Sequence, residues 1–178
     1  MAIRDTSLDN KNELTATRFN LAEYQLQRKN HFEVQFSSDT GIDENLKFMV
    51  VSFPLPKETT ESSDINYFNT TIKVAGKTTF DNTTMVLRDA ITYDTEQKFL
   101  AWRKKVYDPQ NGTMGIAENY KHDAVVTEWT PDKATKSRSW RLVGCWPISI
   151  DYGDLSYDDG GEKQVSVGIC YDYAYRED

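Results

Sequence analysis

The 178-residue chain is poor in the side chains from which most reactive centres are built: two cysteines and two histidines. Cys145 and Cys170 show no CxxC spacing and no third ligand, which disfavours structural zinc and predicts buried free thiols. His31 and His122 each sit inside a strand-like alternation without a neighbouring nucleophile motif, so both are expected to be structural. No run of apolar residues approaches the ~18 that a membrane span requires, and the opening Met-Ala-Ile-Arg-Asp-Thr-Ser has no apolar signal-peptide core. The expectation is a soluble chain with no membrane anchor. A basic excess is missing too: 21 Lys and Arg face 28 Asp and Glu, a net charge of −7. Proteins that grip nucleic acid neutralise phosphates with Lys and Arg, so this balance argues against one. No P-loop or dinucleotide fingerprint occurs. The turns at 108–112 and 154–161 depart from the EF-hand register. Together these absences lead away from an enzyme and from any cofactor or metal.

The charge that is present is unevenly placed. Residues 150–178 hold eight acids against Lys163 and Arg176, leaving the first 149 residues nearly neutral. Asp154, Asp158, Asp159 and Glu162 are the centre of that cluster, either a solvated turn or a surface that repels polyanions or meets a partner.

Length and composition indicate one domain over 1–178. Residues 1–27 are polar and mixed, with a short helix expected near 20–28 in a possible N-terminal arm. Phe32, Val34 and Phe36 alternate with polar residues as in a half-buried strand, and residues 37–41 carry turn chemistry. Leu46 to Phe53 reads as a buried strand stopped by Pro54 and Pro56. Lys57 to Asn66 is polar and aperiodic and reads as a long surface loop. Strands are expected at 70–74, 83–87, 124–129, 139–146, 148–152 and 164–173. One helix is expected at 95–107, capped by Asp94 with Gln97 three residues on. It presents Phe99, Trp102 and Val106 on one face and ends in Arg103, Lys104 and Lys105 beside the negative end of its dipole. About seven strands and one helix without strand–helix alternation point to a mainly antiparallel sandwich or barrel.

Several stretches, in this order, resemble the tail tube proteins of contractile-tailed, T-even-like bacteriophages. They are Arg28 to Phe36, Ile72-Lys-Val-Ala-Gly76 with Thr79-Phe80-Asp81, and Glu96-Gln-Lys-Phe-Leu-Ala-Trp102. Tyr120-Lys121 before a strand ending at Trp129 follows, then Leu142-Val-Gly-Cys-Trp146-Pro147 and Gln164 to Tyr173. The resemblance implies a two-sheet β-sandwich with a flanking helix, assembled into hexameric rings with a continuous inner barrel of 24 strands. It further implies rings stacked into a tube, a surrounding tail sheath, an enclosed tape measure protein, baseplate and tail terminator partners, and transient passage of DNA. The place would be the virion tail, assembled in the host cytoplasm. On this reading Lys57, Glu58, Glu61 and Asp64, with the 39–45 turn, are candidate inter-ring contacts. Asp154, Asp158, Asp159 and Glu162 are candidate lumen or ring-edge acids, and Phe99, Trp102, Trp140 and Trp146 are core or interface anchors. Three alternatives stay open: a tube protein of a type VI secretion or bacteriocin-like injection system, a β-sandwich carbohydrate-binding module and, most distantly, a hydrolase built on a pair of carboxylates.

Overall fold

A computed structural model describes residues 26–177. The expected arm lies outside the described residues except for 26–27, and of the helix expected near 20–28 only 26–28 are described and are not helical. Within them, the side-chain amide of Gln27 donates to the Trp129 carbonyl at 3.1 Å.

In chain order the elements are β1 (Phe32–Phe36), a 3-10 turn at Ser38–Thr40, α1 (Leu46–Met49), β2 (Val50–Ser52), β3 (Glu58–Tyr67), β4 (Thr70–Phe80) and β5 (Thr83–Arg88). Then come α2 (Thr95–Val106), β6 (Tyr107–Asp108), β7 (Thr113–Met114), α3 (Ala117–Tyr120), β8 (His122–Trp129), β9 (Lys136–Asp151), β10 (Gln164–Cys170) and β11 (Tyr173–Glu177). The principal sheet follows the path β1-β8-β9-β10-β5-β2, with β11 also paired to β9. Every pairing is antiparallel.

The sixteen-residue β9 creates the two layers. Its first half pairs with β8 and β11, and its second half, from Trp146 onward, pairs with β10. Between the halves Gly144 has φ +69°, a left-handed conformation that a side chain disfavours. The strand therefore turns a corner and serves both sheets, the usual device where layers share a strand. Two separate strands were expected at 139–146 and 148–152. They are one, because Pro147, which donates no ladder hydrogen bond, sits where a bulge at Gly168–Ile169 relaxes the register. The expected single strand 164–173 divides into β10 and β11 because the chain switches from one half of β9 to the other. It changes partners at Tyr171–Asp172, opposite the corner, where the Asp172 amide donates to the Val143 carbonyl at 2.9 Å.

The core lies between the layers and under α2. Val165, Val167 and Ile169, one face of β10, are fully buried together with Met85, Leu87 and Leu142. Helix α2 forms as its sequence requires. The Asp94 carboxylate accepts the Gln97 amide at 3.1 Å, and the buried stripe runs Thr95, Phe99, Trp102, Val106. Phe36 meets the Trp102 ring edge-on at 5.3 Å, and Trp102 Nε1 donates to the Tyr120 carbonyl at 2.8 Å.

Two segments differ from expectation. Leu46 to Phe53 opens as a helical turn, with strand only at Val50–Ser52. Leu46 is buried while Phe48 is exposed, as opposite sides of a helical turn require; in a strand the two would share a face. The supposed loop at 57–66 is strand β3, paired along its length with β4 in a hairpin that is exposed on both faces. A strand with water on both sides has no reason to alternate apolar with polar residues. Its order comes instead from the β-branched partner strand, as in the Thr60–Thr78 hydroxyl pair at 2.8 Å.

Candidate functional site

Four features of the surface are built by these elements: the corner of β9, the projecting hairpin, the loop after β9, and the unpaired sheet edges.

The corner explains the Gly-Cys-Trp-Pro stretch. The space beside the Gly144 Cα is filled by the Asp172 carboxylate, so a Cβ there would collide with it. That carboxylate takes the Lys121 ammonium at 2.6 and 2.9 Å, and Asp123 accepts the Gly144 amide at 3.3 Å. Arg141 then links Asp123 at 3.3 Å to Glu177 at 3.2 Å, joining β8, β9 and β11. The ion pair with Asp172 holds the Lys121 pKa above its usual value. Just inside the corner, burial pushes the Cys145 thiol up to about 12, with the Asp123 charge adding to the shift. Cys145 and Cys170 are both free thiols, the first buried and the second half-buried. Trp146 lies beyond the corner, half-buried and edge-on to Tyr120 at 5.7 Å, while Trp140 packs half-buried against the core. Phe99 and Trp102 are completely buried.

Among the described residues, the β3–β4 hairpin is tied down at its root. There Phe80 approaches Tyr171 at 6.0 Å, the Asp81 amide donates to the Lys57 carbonyl, and Lys57 pairs with Asp81 at 3.1 Å. Glu58, Glu61 and Asp64 are exposed along β3. Register divides the outer hairpin into unlike faces, since directly opposed residues point to the same side. Tyr67–Thr70, Ile65–Ile72 and Ser63–Val74 make an apolar face, whereas Asn66–Thr71, Asp64–Lys73 and Ser62–Ala75 make a polar one. This apolar face is absent from the expectation of a long polar surface loop at 57–66. Its signal was the spacing of two between Ile65 and Tyr67 and between Ile72 and Val74. The 39–45 turn does not extend the hairpin. It docks on α2, with Asp43 on Lys98 at 2.8 Å and Lys105 donating to the Asp39 carbonyl at 2.8 Å. The Lys98 contact lowers the Asp43 pKa.

Asp154, Asp158, Asp159 and Glu162 all lie exposed in the β9–β10 loop. Glu162 pairs with Arg88 at 2.7 Å, and Asp159 accepts the Gly161 amide at 2.9 Å in a tight turn. Next to them Lys163 spans Glu96 at 2.5 Å and Asp89 at 3.2 Å, fastening the start of β10 to α2. Both contacts raise its pKa, that with Glu96 the more.

Among the described residues the sheet path ends on β1 at one side and β2 at the other, and β11 is a third strand paired on one side only. Tyr173 and Tyr175 stand exposed and stacked on β11, with ring centres 6.3 Å apart. Unpaired edges are usually short or covered, because they recruit other chains.

Residues 28–174 match the family model described as "T4-like virus tail tube protein gp19". The tail tube protein gp19 of Enterobacteria phage T4 is 29% identical over 148 residues, covering 82% of this chain and 89% of the relative. Among solved structures, the tube-terminating cap of the anti-feeding prophage superposes with a TM-score of 0.68 at 12% identity, covering 85% of this chain and 91% of its own. A chain of the sheath-tube complex of the PVC extracellular contractile injection system gives 0.66 at 14% identity, covering 92% and 98%. At such identities the structural likeness speaks for the fold.

Proposed function

Because this chain belongs to the T4-like virus tail tube protein family, we propose that this tail tube subunit of the virion assembles into hexameric rings stacked as a hollow tube. In each ring the inner strands of six subunits join into a 24-stranded barrel. The observation that carries this reading is the set of edges on β1, β2 and β11 that no other described residue pairs: lateral pairing in a closed ring satisfies their backbone groups and removes the edges. The role is structural rather than enzymatic, and the relatives are tail tube proteins.

The hairpin carries the contacts between rings, with Lys57, Glu58, Glu61 and Asp64 at its root and along β3. Asp154, Asp158, Asp159 and Glu162 lie at the lumen or a ring edge, where repeated negative charge discourages DNA from adhering as it passes. Trp140 and Trp146, half-buried, serve as anchors between core and interface. The tape measure protein occupies the bore, and the sheath, baseplate and terminator proteins meet the outside and ends. For the sheath and the terminating cap, the support is that the matched folds come from a sheath-tube complex and a tube cap.

Those same matches favour one second reading, a tube protein of another contractile injection system. Electron microscopy of the concentrated protein tests the assembly: six-fold rings or long tubes are expected. A monomer that persists in every condition and binds glycans overturns the reading in favour of a carbohydrate-binding module.

A further inference from the structure

We propose that residues 19–25 fold back into the apolar groove between β1 and β2 of their own chain and cover these two sheet edges until a neighbouring subunit displaces them. The displacement rests on the tail tube reading above, whereas the seat rests on this chain's own residues.

The groove has a volume of about 400 Å³ and is walled by Phe32 of β1 and by Val51, Phe53 and Leu55 in and after β2. Among the described residues Val51 and Leu55 are 37% and 46% exposed, and Phe32 and Phe53 are half-buried. Two polar atoms of the lining residues, His31 Nδ1 and Glu128 Oε1, are buried with no hydrogen-bond partner among the described residues. A buried polar atom left unpaired costs free energy that a further partner recovers. Apolar walls with two such atoms call for an occupant that brings apolar side chains together with a hydrogen-bonding group.

The chain itself is delivered to this groove. Gln27 and Arg28 line it, and the Gln27 side-chain amide holds the entry to β1 on the Trp129 carbonyl at 3.1 Å. Residues 1–25 precede that point and lie outside the family match, which begins at residue 28. Their last stretch carries Phe19, Leu21 and Tyr24. Phe19 and Leu21 are spaced by two, which in an extended segment sets both on one face. Leu21 is six residues from Gln27, a reach of up to about 20 Å. The Tyr24 hydroxyl is able to donate to the Glu128 carboxylate or to an unprotonated His31 nitrogen.

Tethering favours the chain's own segment over a second copy. A short flexible connection gives an effective concentration in the millimolar range, far above that of other copies in dilute solution. The seat also lies between β1 and β2, the two ends of the sheet path among the described residues. Covering such edges is one way a chain avoids pairing with the wrong partner. Lateral pairing in a ring needs those edges, so assembly has to move the segment aside.

The test measures how fast iodoacetamide modifies Leu55→Cys in the full, unassembled chain, read at that position by peptide mass. The rate is expected to be about tenfold lower than in the same chain carrying Phe19→Ser and Leu21→Ser, and to be unchanged by dilution. Equal rates in the two chains overturn the seat. Protection that fades on dilution identifies a second copy as the occupant and likewise overturns it. Displacement is read in the chain carrying only Phe19→Ser and Leu21→Ser, which is expected to form rings or tubes at about tenfold lower protein concentration than wild type. Assembly at an unchanged or higher concentration overturns the covering of the edges. A chain that shows the protection and never forms rings in any condition supports the seat and overturns the tube reading alone.

Discussion

Gly144→Ala tests the corner on which the two sheets depend. Alanine in the left-handed region costs about 1–2 kcal/mol. Its methyl group also displaces the Asp172 carboxylate, which lies in the space the Cβ needs. Moving Asp172 loosens the Lys121 pair at 2.6 Å, whose side chains are 32% and 50% exposed. Solvent screening limits that loss to about 0–1 kcal/mol. The expected destabilisation is therefore about 1–3 kcal/mol, a fall in melting temperature of roughly 3–10 °C for a domain of this size. Urea titration of the unassembled protein, followed by tryptophan fluorescence, measures it. Adding Asp172→Ala separates the two causes: the collision disappears and the backbone cost stays, so the glycine substitution costs less in that background. Two results refute the reasoning. One is a Gly144→Ala protein within about 0.5 kcal/mol of wild type, the scatter of neutral surface changes. The other is an identical cost with and without Asp172.

Other expectations can be checked in the same way. Trp102→Ala removes a wholly buried ring and the hydrogen bond to the Tyr120 carbonyl, and is expected to cost about 3–5 kcal/mol in urea. Asp94→Ala removes the cap on the Gln97 amide and is expected to cost about 1 kcal/mol, with Asp94→Asn retaining much of it. Cys145 titrates at about 12 in the folded protein against an ordinary 9.0, so the folded state holds its proton more tightly. Its contribution is complete below pH 9 and is lost as pH rises from there toward 12, with a slope of at most about 1.4 kcal/mol per pH unit. Stability measured from pH 8 to 10.5 is expected to fall less steeply in Cys145→Ala than in wild type, and the native thiol is expected to resist thiol reagents at pH 8 until the protein unfolds.

What could be read in advance was whatever depends on neighbours in sequence. The α2 cap and its Phe99–Trp102–Val106 stripe come from periodicity and one carboxylate, and they stand almost as expected. The alternation in 164–171 likewise placed Val165, Val167, Ile169 and Tyr171 on the buried face. Segments failed where order is supplied from a distance. Residues 58–64 of β3 carry no apolar side chain and both faces of the strand meet water, so its strand character resides in its partner, residues 70–80. Pro147 reads as a break because nothing local announces the bulge beside it, where Ile148 is the extra residue facing Gly168–Ile169. The acids of the hairpin drew attention in the sequence, while the apolar pairs Ile65–Ile72 and Ser63–Val74 became visible only once the register set them on one face.

The sequence by itself determined the mainly β character, the helix and the family, since these follow from short-range patterns and from motifs in order along the chain. Tertiary structure alone decided that β9 is one strand turned at Gly144 between two layers, with Asp172 in the space a side chain would fill. It also decided that 58–80 is a projecting hairpin with one apolar face. The physical reason is shared: strand pairing couples residues far apart in the chain, and an edge, a corner or a face exists only after the partners have met.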